Sequence, residues 1–238
     1  KRDAASGVDG LSWREYEQGL LMKLKALHDK VHSGRYRAKP VRRVYIPKAD
    51  GSERPLGVTA LEDKIVQAAV VQVLNAIYEQ NFLGLSYGFR PGRGQHDALD
   101  ALSVGIQKTL VRWILDVDIR AFFDTIDHEW MMCFLQHRIA DRRVLALIAR
   151  WLRTGVLENG KRIPAKQGTP QGAPISPLLA NIYLHYVMDL WVRQWRGRTA
   201  KGEMIAVRYA DDSVLGFEKH EDAWSFRHAL EVRLAQFN

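Results

Sequence analysis

The chain has 238 residues, 47% of them apolar and 26% charged, an ordinary balance for a globular protein with a sizeable core. That balance argues against a disordered chain, a collagen-like repeat or a disulfide-rich scaffold, and the single cysteine, Cys133, has no partner for an internal disulfide. The net charge of +8 suits a polyanionic partner such as nucleic acid, or a protein that is simply basic. Residues 35–54 carry seven Lys and Arg (35, 37, 39, 42, 43, 48, 54) against Asp50 and Glu53, which reads either as a solvated face or as a phosphate-facing surface. No apolar run approaches the ~18 residues of a membrane span, and no apolar stretch follows the first residues as in a signal peptide.

In chain order, Ser12 and Glu15 form a capping box that opens a helix to about His32, stopped by Gly34. A hairpin follows, Val41–Pro47 and Arg54–Val58, turning at Asp50-Gly51. Thr59 and Glu62 form a second capping box, before an apolar helix to about Gln80. After a glycine-rich connection from Gly84 to Gly94, another helix covers about His96–Leu110. Val111–Asp118 reads as a strand ending in acids, Asp127 caps a helix of about ten residues, and Asp141 caps one closed by Gly155. No long helix fits residues 155–174. Ser176 then caps a helix with Pro177 in its first turn, running to about Trp195. Met204–Tyr209 and Ser213–Phe217 form a hairpin, and apolar residues at helical spacing continue to the end of the chain, as in a piece of a longer protein. Helices and strands mix without βαβ alternation, which predicts an α+β fold.

Asp211 and Asp212 fall between two apolar strand-like runs, where a hairpin turn would lift both carboxylates to the end of a sheet. Alternation places Asp116 and Asp118 on one face of the Val111–Asp118 strand. If the strands are neighbours, Asp118 meets Asp211 and Asp212 at one edge. Such a cluster repels itself unless hard divalent cations lie within it. Two such ions can activate an attacking hydroxyl and stabilise a leaving pyrophosphate. A surface turn and an ordinary strand end are the plainer alternative. No zinc-ligand spacing is present among the eight histidines. Cys133, within Met-Met-Cys-Phe-Leu, reads as a packing residue.

Tyr209-Ala-Asp-Asp212 resembles the YxDD box of reverse transcriptases. Asp118-Ile-Arg-Ala-Phe-Phe-Asp124 resembles their first catalytic-aspartate motif, and the run from Gly168 to His185, starting Gly-Thr-Pro-Gln-Gly, resembles the block that shapes the nucleotide pocket. With Tyr87–Ala98 and Ser6–Leu11, in this order, these motifs resemble the group II intron-encoded reverse transcriptase/maturase family over essentially the whole chain.

The resemblance implies a right-hand polymerase with fingers and palm, the palm an antiparallel sheet flanked by helices. It implies an N-terminal extension and first helix at 1–34, fingers at 35–110, palm at 111–141, and a fingers/palm segment with the nucleotide-pocket block at 142–203. The palm catalytic hairpin and its following helix fall at 204–238. Two Mg²⁺ ions would sit on Asp118, Asp211 and Asp212, near the backbone carbonyl of Ile119. Backbone N–H groups of Ala121 and Phe122 would meet the triphosphate. Phe123 matches the residue that blocks a ribose 2′-hydroxyl, or is a core aromatic beside Phe122. Gln171 and Gly172 match pocket residues touching the incoming nucleotide. Lys48 and Arg54 resemble the triphosphate clamp, or are solvated hairpin residues. Arg42, Arg43, Arg90 and Arg93 are nucleic-acid candidates; for Arg90 and Arg93 packing is the alternative.

The implied activity is RNA-directed DNA polymerisation, from dNTPs onto an RNA–DNA or DNA primer along an intron RNA template. It would support intron mobility and, in the full-length protein, splicing. The implied compartment is the bacterial cytoplasm or an organelle, with no membrane. The thumb and the maturase domain are expected to lie outside this segment, and no nuclease domain is expected within it. The alternatives are a non-catalytic RNA-binding splicing cofactor on the same scaffold, or a domesticated reverse transcriptase, CRISPR-associated or diversity-generating.

Overall fold

A computed structural model describes residues 5–47, 51 and 53–237. In chain order the helices are α1 (Trp13–Glu17), α2 (Leu20–His32), α3 (Leu61–Tyr78), α4 (Gln95–Lys108), α5 (Phe122–Thr125), α6 (His128–Gln136), α7 (Arg142–Arg153), α8 (Ser176–Leu184), α9 (Leu190–Arg198) and α10 (His220–Leu234). The strands are β1 (Val41–Pro47), β2 (Glu53–Val58), β3 (Trp113–Asp118), β4 (Val156–Glu158), β5 (Lys161–Ile163), β6 (Met204–Tyr209) and β7 (Asp212–Phe217), and a π-turn at His185–Asp189 joins α8 to α9. The fold is α+β. The chain forms two compact units, Lys1–Gln72 with Asp141–Ser176, and Val73–Ala140 with Pro177–Asn238.

The first unit holds a four-stranded sheet in the order β2-β1-β4-β5. β1 pairs antiparallel with β2 from Arg42↔Val58 to Pro47↔Glu53, and parallel with β4 at Val41↔Val156. The hairpin of β4 and β5 turns at Asn159-Gly160, both with positive φ (49° and 75°), the type I′ geometry that an Asn-Gly pair favours. The sequence reading passed over it because each strand has three residues. α7 buries Leu145, Leu147, Ile148, Trp151 and Leu152, the apolar stripe of an amphipathic helix. Its Trp151 Nε1 donates to Tyr36 Oη at 3.0 Å, and Tyr36 donates in turn to the buried carboxylate of Asp63. Asp63 also accepts the Lys39 backbone N–H at 2.9 Å. Gly7 lies so close to the start of α3 that a Cβ there would come within 2.5 Å of Ala60 Cα, so only glycine fits this motif position.

The second unit holds the antiparallel sheet β3-β7-β6. α10 packs against β3 and β7, and α4 against β6. Trp195 of α9 meets Phe217 of β7 and Phe226 of α10 edge-on, and the two phenylalanines tilt against each other, with ring centres 5.0–6.3 Å apart. Gly105 lets α4 approach the sheet, since a Cβ there would sit 3.0 Å from Ile205. Phe134 of α6 stacks on Tyr186 at 5.0 Å and meets Tyr183 edge-on at 5.4 Å.

The structure corrects several sequence expectations. The first helix is two, because Gly19 takes φ 71° between them; the Ser12–Glu15 capping box is present as expected. Thr59 does not cap α3, its hydroxyl being buried without a hydrogen-bond partner. Ser176 does not cap either: its Oγ bonds Thr169 Oγ1 at 2.6 Å and the Pro170 carbonyl at 2.9 Å. The helix it opens is interrupted by the π-turn and extends to Arg198. Cys133 is exposed rather than packed. Asp127 and Asp141 cap as the sequence implies, Asp127 accepting from the Glu129 and Trp130 N–H groups and Asp141 from that of Arg143. Among the described residues, no helix is long and apolar enough to cross a membrane.

Candidate active site

The acidic turn is built by strand register. β6 and β7 pair from Met204↔Phe217 to Tyr209↔Asp212, leaving Ala210 and Asp211 as a two-residue loop. Ala210 has φ 58° and Asp211 does not have positive φ, the sign pattern of a type II′ turn. Such turns match the twist of a hairpin but normally place glycine where Ala210 stands. β3 lies on the other side of β7, with Asp118 directly opposite Asp212. The adjacency that the sequence left conditional is therefore present.

Asp118 and Asp212 share a sheet face, because directly paired residues project the same way. Asp116, two residues earlier on β3, shares that face and is exposed. Burial, followed by the charges of Asp211, Asp118 and Asp116, holds the Asp212 carboxyl above the usual carboxylate range. Four carboxylates thus act on one sheet end. Asp116 was not singled out as a site residue, although the alternation that pairs it with Asp118 is plain in Trp-Ile-Leu-Asp-Val-Asp.

A cluster of like charges at a strand end suits hard divalent cations, which need only a few carboxylates when phosphate and water complete the shell. Among the described residues, no three His, Cys, Asp or Glu side chains form a ready cage. With Asp118 facing Asp212 and Asp211 in the adjoining turn, the oxygen donors at this edge suit cations whose shell phosphate and water would complete.

Next to this edge, Ala121 takes φ 52° and leads into α5. The Phe122 N–H donates to the Ile119 carbonyl at 3.3 Å, so two groups that the resemblance assigns to ligands are partnered with each other. Phe122 is buried in the core and Phe123 is half-buried beside it, ring centres 5.6 Å apart. The core-aromatic description therefore belongs to Phe122 more than to Phe123.

In the first unit, the loop carrying Gln171 and Gly172 is fastened to β2. The Gly57 N–H donates to the Gln171 carbonyl at 2.6 Å. Gly172 (φ 101°) lies close enough that a Cβ would come within 2.8 Å of the Gly57 carbonyl. The Thr169–Ser176 hydroxyl pair closes the loop against the start of α8. Lys48 lies outside the described residues. Arg54 is in β2, its backbone opposite Ile46.

The arginine candidates divide. Arg90 is 7% exposed, and its guanidinium engages both Glu79 carboxylate oxygens and the Leu83 and Ser86 carbonyls. It packs the glycine-rich connection and is not free to grip a template, which corrects its assignment. Arg42 donates twice to the Ser6 carbonyl, at 3.1 and 2.7 Å, and is a structural tie as well. Arg43 is half-buried, its Nε without a partner. Arg93 is partly exposed, stacks over Tyr87 at 5.2 Å and donates to the Gly84 and Ser86 carbonyls.

Sequence reading also missed Arg208, the residue before Tyr209, which is buried together with Asp189 of the π-turn. The Ser86–Gly88 segment lies along it, with the Tyr87 N–H donating to the Arg208 carbonyl at 2.9 Å. Only glycine fits at position 88, where a Cβ would stand 2.4 Å from Ala210 N.

An antiparallel three-stranded sheet presenting carboxylates at a hairpin turn is the form of a polymerase palm, and comparison with known proteins agrees. A match to reverse transcriptase (RNA-dependent DNA polymerase) covers residues 46–238, and the chain belongs to that family. Its relatives place it in the group II intron reverse transcriptase/maturase family. Protein YkfC of Escherichia coli strain K12 is 37% identical over 239 residues, covering 88% of this chain and 62% of YkfC. The group II intron-encoded protein LtrA of Lactococcus lactis subsp. cremoris is 41% identical over 173 residues, covering 72% of this chain and 28% of LtrA. The chain thus spans under two thirds of the length of either relative. The solved structure of apo telomerase from Candida tropicalis superposes with a TM-score of 0.58 at 12% identity, over 80% of this chain and 46% of that one, a likeness of fold alone.

Proposed function

We propose that this chain carries the polymerising site of a group II intron reverse transcriptase, adding deoxynucleotides to a primer 3′-hydroxyl along an RNA template. The observation that carries this reading is the register of Asp118 opposite Asp212, with Asp211 in the adjoining turn. A purely RNA-binding splicing cofactor has no use for carboxylates gathered at a sheet end, where burial and the charges of its neighbours push the Asp212 carboxyl up. Relatives named as intron-encoded proteins, and a neighbour whose telomerase is described in complex with telomeric RNA, support RNA as the template.

In this reading Asp118, Asp211 and Asp212, with the Ile119 carbonyl, would hold two Mg²⁺ ions. Bound there, the ions would lower the pKa of the attacking hydroxyl and neutralise charge on the phosphates. The chain's own contribution is positioning, the main source of catalysis in such a transfer. The Ala121 and Phe122 N–H groups would face the triphosphate, the Phe122 N–H exchanging its long bond to Ile119 for a phosphate oxygen. Phe123, not wholly enclosed by the core, would close the pocket against a 2′-hydroxyl. Gln171 and Gly172 would line the nucleotide pocket, Lys48 and Arg54 would hold the phosphates, and Arg43 and Arg93 would contact nucleic acid. The fingers (35–110, with part of 142–203), the palm (111–141 and 204–238) and the N-terminal extension (1–34) keep the family's division of labour.

Primer extension on an RNA template with Mg²⁺ and dNTPs tests the reading, comparing the wild type with Asp211→Ala in the full chain. Asp211→Ala should lower extension by about a thousandfold or more while RNA binding persists, since one missing charge partner at the reacting centre costs at least that. Near wild-type extension by the variant would defeat the assignment. RNA binding without extension by the wild type would favour the splicing-cofactor reading.

A further inference from the structure

Arg208 is 1% exposed in its side chain, and its partner Asp189 is fully buried. Its Nε donates to Asp189 Oδ1 at 2.7 Å. Its Nη2 donates to Asp189 Oδ2 at 2.7 Å and to Ser86 Oγ at 2.8 Å. Its Nη1 donates to Asn181 Oδ1 at 3.1 Å and to the Ala210 carbonyl at 2.7 Å. Every N–H of the guanidinium is therefore engaged. Asn181 in turn donates to the Gly88 carbonyl at 2.7 Å, from the residue that abuts Ala210 N.

A buried ion pair alone is weak evidence of a structural need, because apolar residues of similar volume often hold a fold as well. An apolar pair cannot hold a carbonyl. Ala210 has a left-handed φ of 58° although it is not glycine, and such a conformation persists only where the surroundings over-determine it. Here the surroundings are Gly88 against its nitrogen and Arg208 on its oxygen. The peptide so gripped is the one that leads into Asp211.

We infer that Arg208, anchored by Asp189 and Asn181, is a positioning residue that fixes the Ala210–Asp211 peptide and so sets the direction of the Asp211 and Asp212 carboxylates. This rests on the polymerase reading of those carboxylates. Arg208 acts through the backbone and touches neither substrate nor metal. Lysine would keep the charge but, as a point charge without the planar fork, would not span Asp189 and the turn carbonyl together.

The test uses Mn²⁺ as a spin-active stand-in for Mg²⁺, titrated into the full chain and followed by electron paramagnetic resonance. Thermal melts and primer extension accompany it. The variants are Arg208→Lys, the double replacement Arg208→Met with Asp189→Leu, and Asp211→Ala. The double replacement should fold, with a melting temperature within a few degrees of wild type, yet bind Mn²⁺ at least about tenfold more weakly, a loss that a merely structural pair would not cause. Arg208→Lys should show the same loss. Either variant, folded and binding Mn²⁺ within twofold of wild type, would overturn the inference. Failure of both to fold would overturn it too, by making the network part of the fold rather than of the site. If Asp211→Ala loses Mn²⁺ while the Arg208 variants keep it, only the positioning inference falls. If Asp211→Ala itself binds Mn²⁺ and extends primers like the wild type, the polymerase reading falls first.

Discussion

Each unit of the chain contains a buried polar network, and the two differ in what their last hydrogen bond reaches. In the first unit Trp151 donates to Tyr36 and Tyr36 to Asp63, which also takes the Lys39 N–H. Every group in that chain belongs to the core or to the segment preceding β1. In the second unit Arg208 binds Asp189, Asn181 and Ser86, but its remaining donor reaches the turn that carries Asp211. Two networks of similar burial therefore do different work. One satisfies polar groups that burial would otherwise penalise; the other also fixes a strained peptide at the site.

The comparison is broken most readily from the first unit. Asp63→Ala leaves the Tyr36 hydroxyl and the Lys39 N–H buried without their acceptor, and should cost about 3 kcal/mol of stability. Urea unfolding measures that loss. Primer extension per folded molecule should stay at the wild-type level; a large fall there would erase the distinction between the networks. Tyr36→Phe is milder, removing a donor from Asp63 and an acceptor from Trp151, and should cost about 1–1.5 kcal/mol.

The smallest effect comes from the site itself. The folded-state pKa of Asp212 is raised above its unfolded value by burial and by its acidic neighbours. The folded chain therefore binds more protons than the unfolded one in the carboxylate range, and metal-free stability falls as pH rises through that range. Asp212→Asn should flatten this slope and raise the metal-free melting temperature slightly, by about 1 °C, because solvent screens an exposed carboxylate. Mg²⁺ should raise the melting temperature of the wild type more than that of the variant, as binding to the native state requires. An unchanged slope in the variant would show that the four carboxylates do not strain the metal-free site.

Much of the site was legible because its signals are local. The Asp127 and Asp141 caps, the β1–β2 and β6–β7 hairpins and the acidic strand end each follow from a few adjacent residues. What misled was also local chemistry, overruled by competing partners a short loop away or by the side of the helix that faces the core. Ser176 looks like a cap but bonds Thr169 and Pro170. Arg90, among glycines, looks like a phosphate ligand but is taken up by Glu79 and two carbonyls. Cys133 sits in an apolar run yet faces solvent, because a helix buries only one side of such a run.

By itself the sequence determined the α+β class, the order of the motifs and the identity of the aspartates, since alternation and turn chemistry act over a few residues. Only the tertiary structure decided that Asp118 stands opposite Asp212, that Asp116 joins them, and that Arg208 is anchored on Asp189 where it can hold the Ala210 carbonyl. Strand pairing and buried ion pairs join residues about 20 to 120 positions apart, from Asp189–Arg208 to Ser86–Arg208. Such distances are closed by burial of the whole core, which no local pattern encodes.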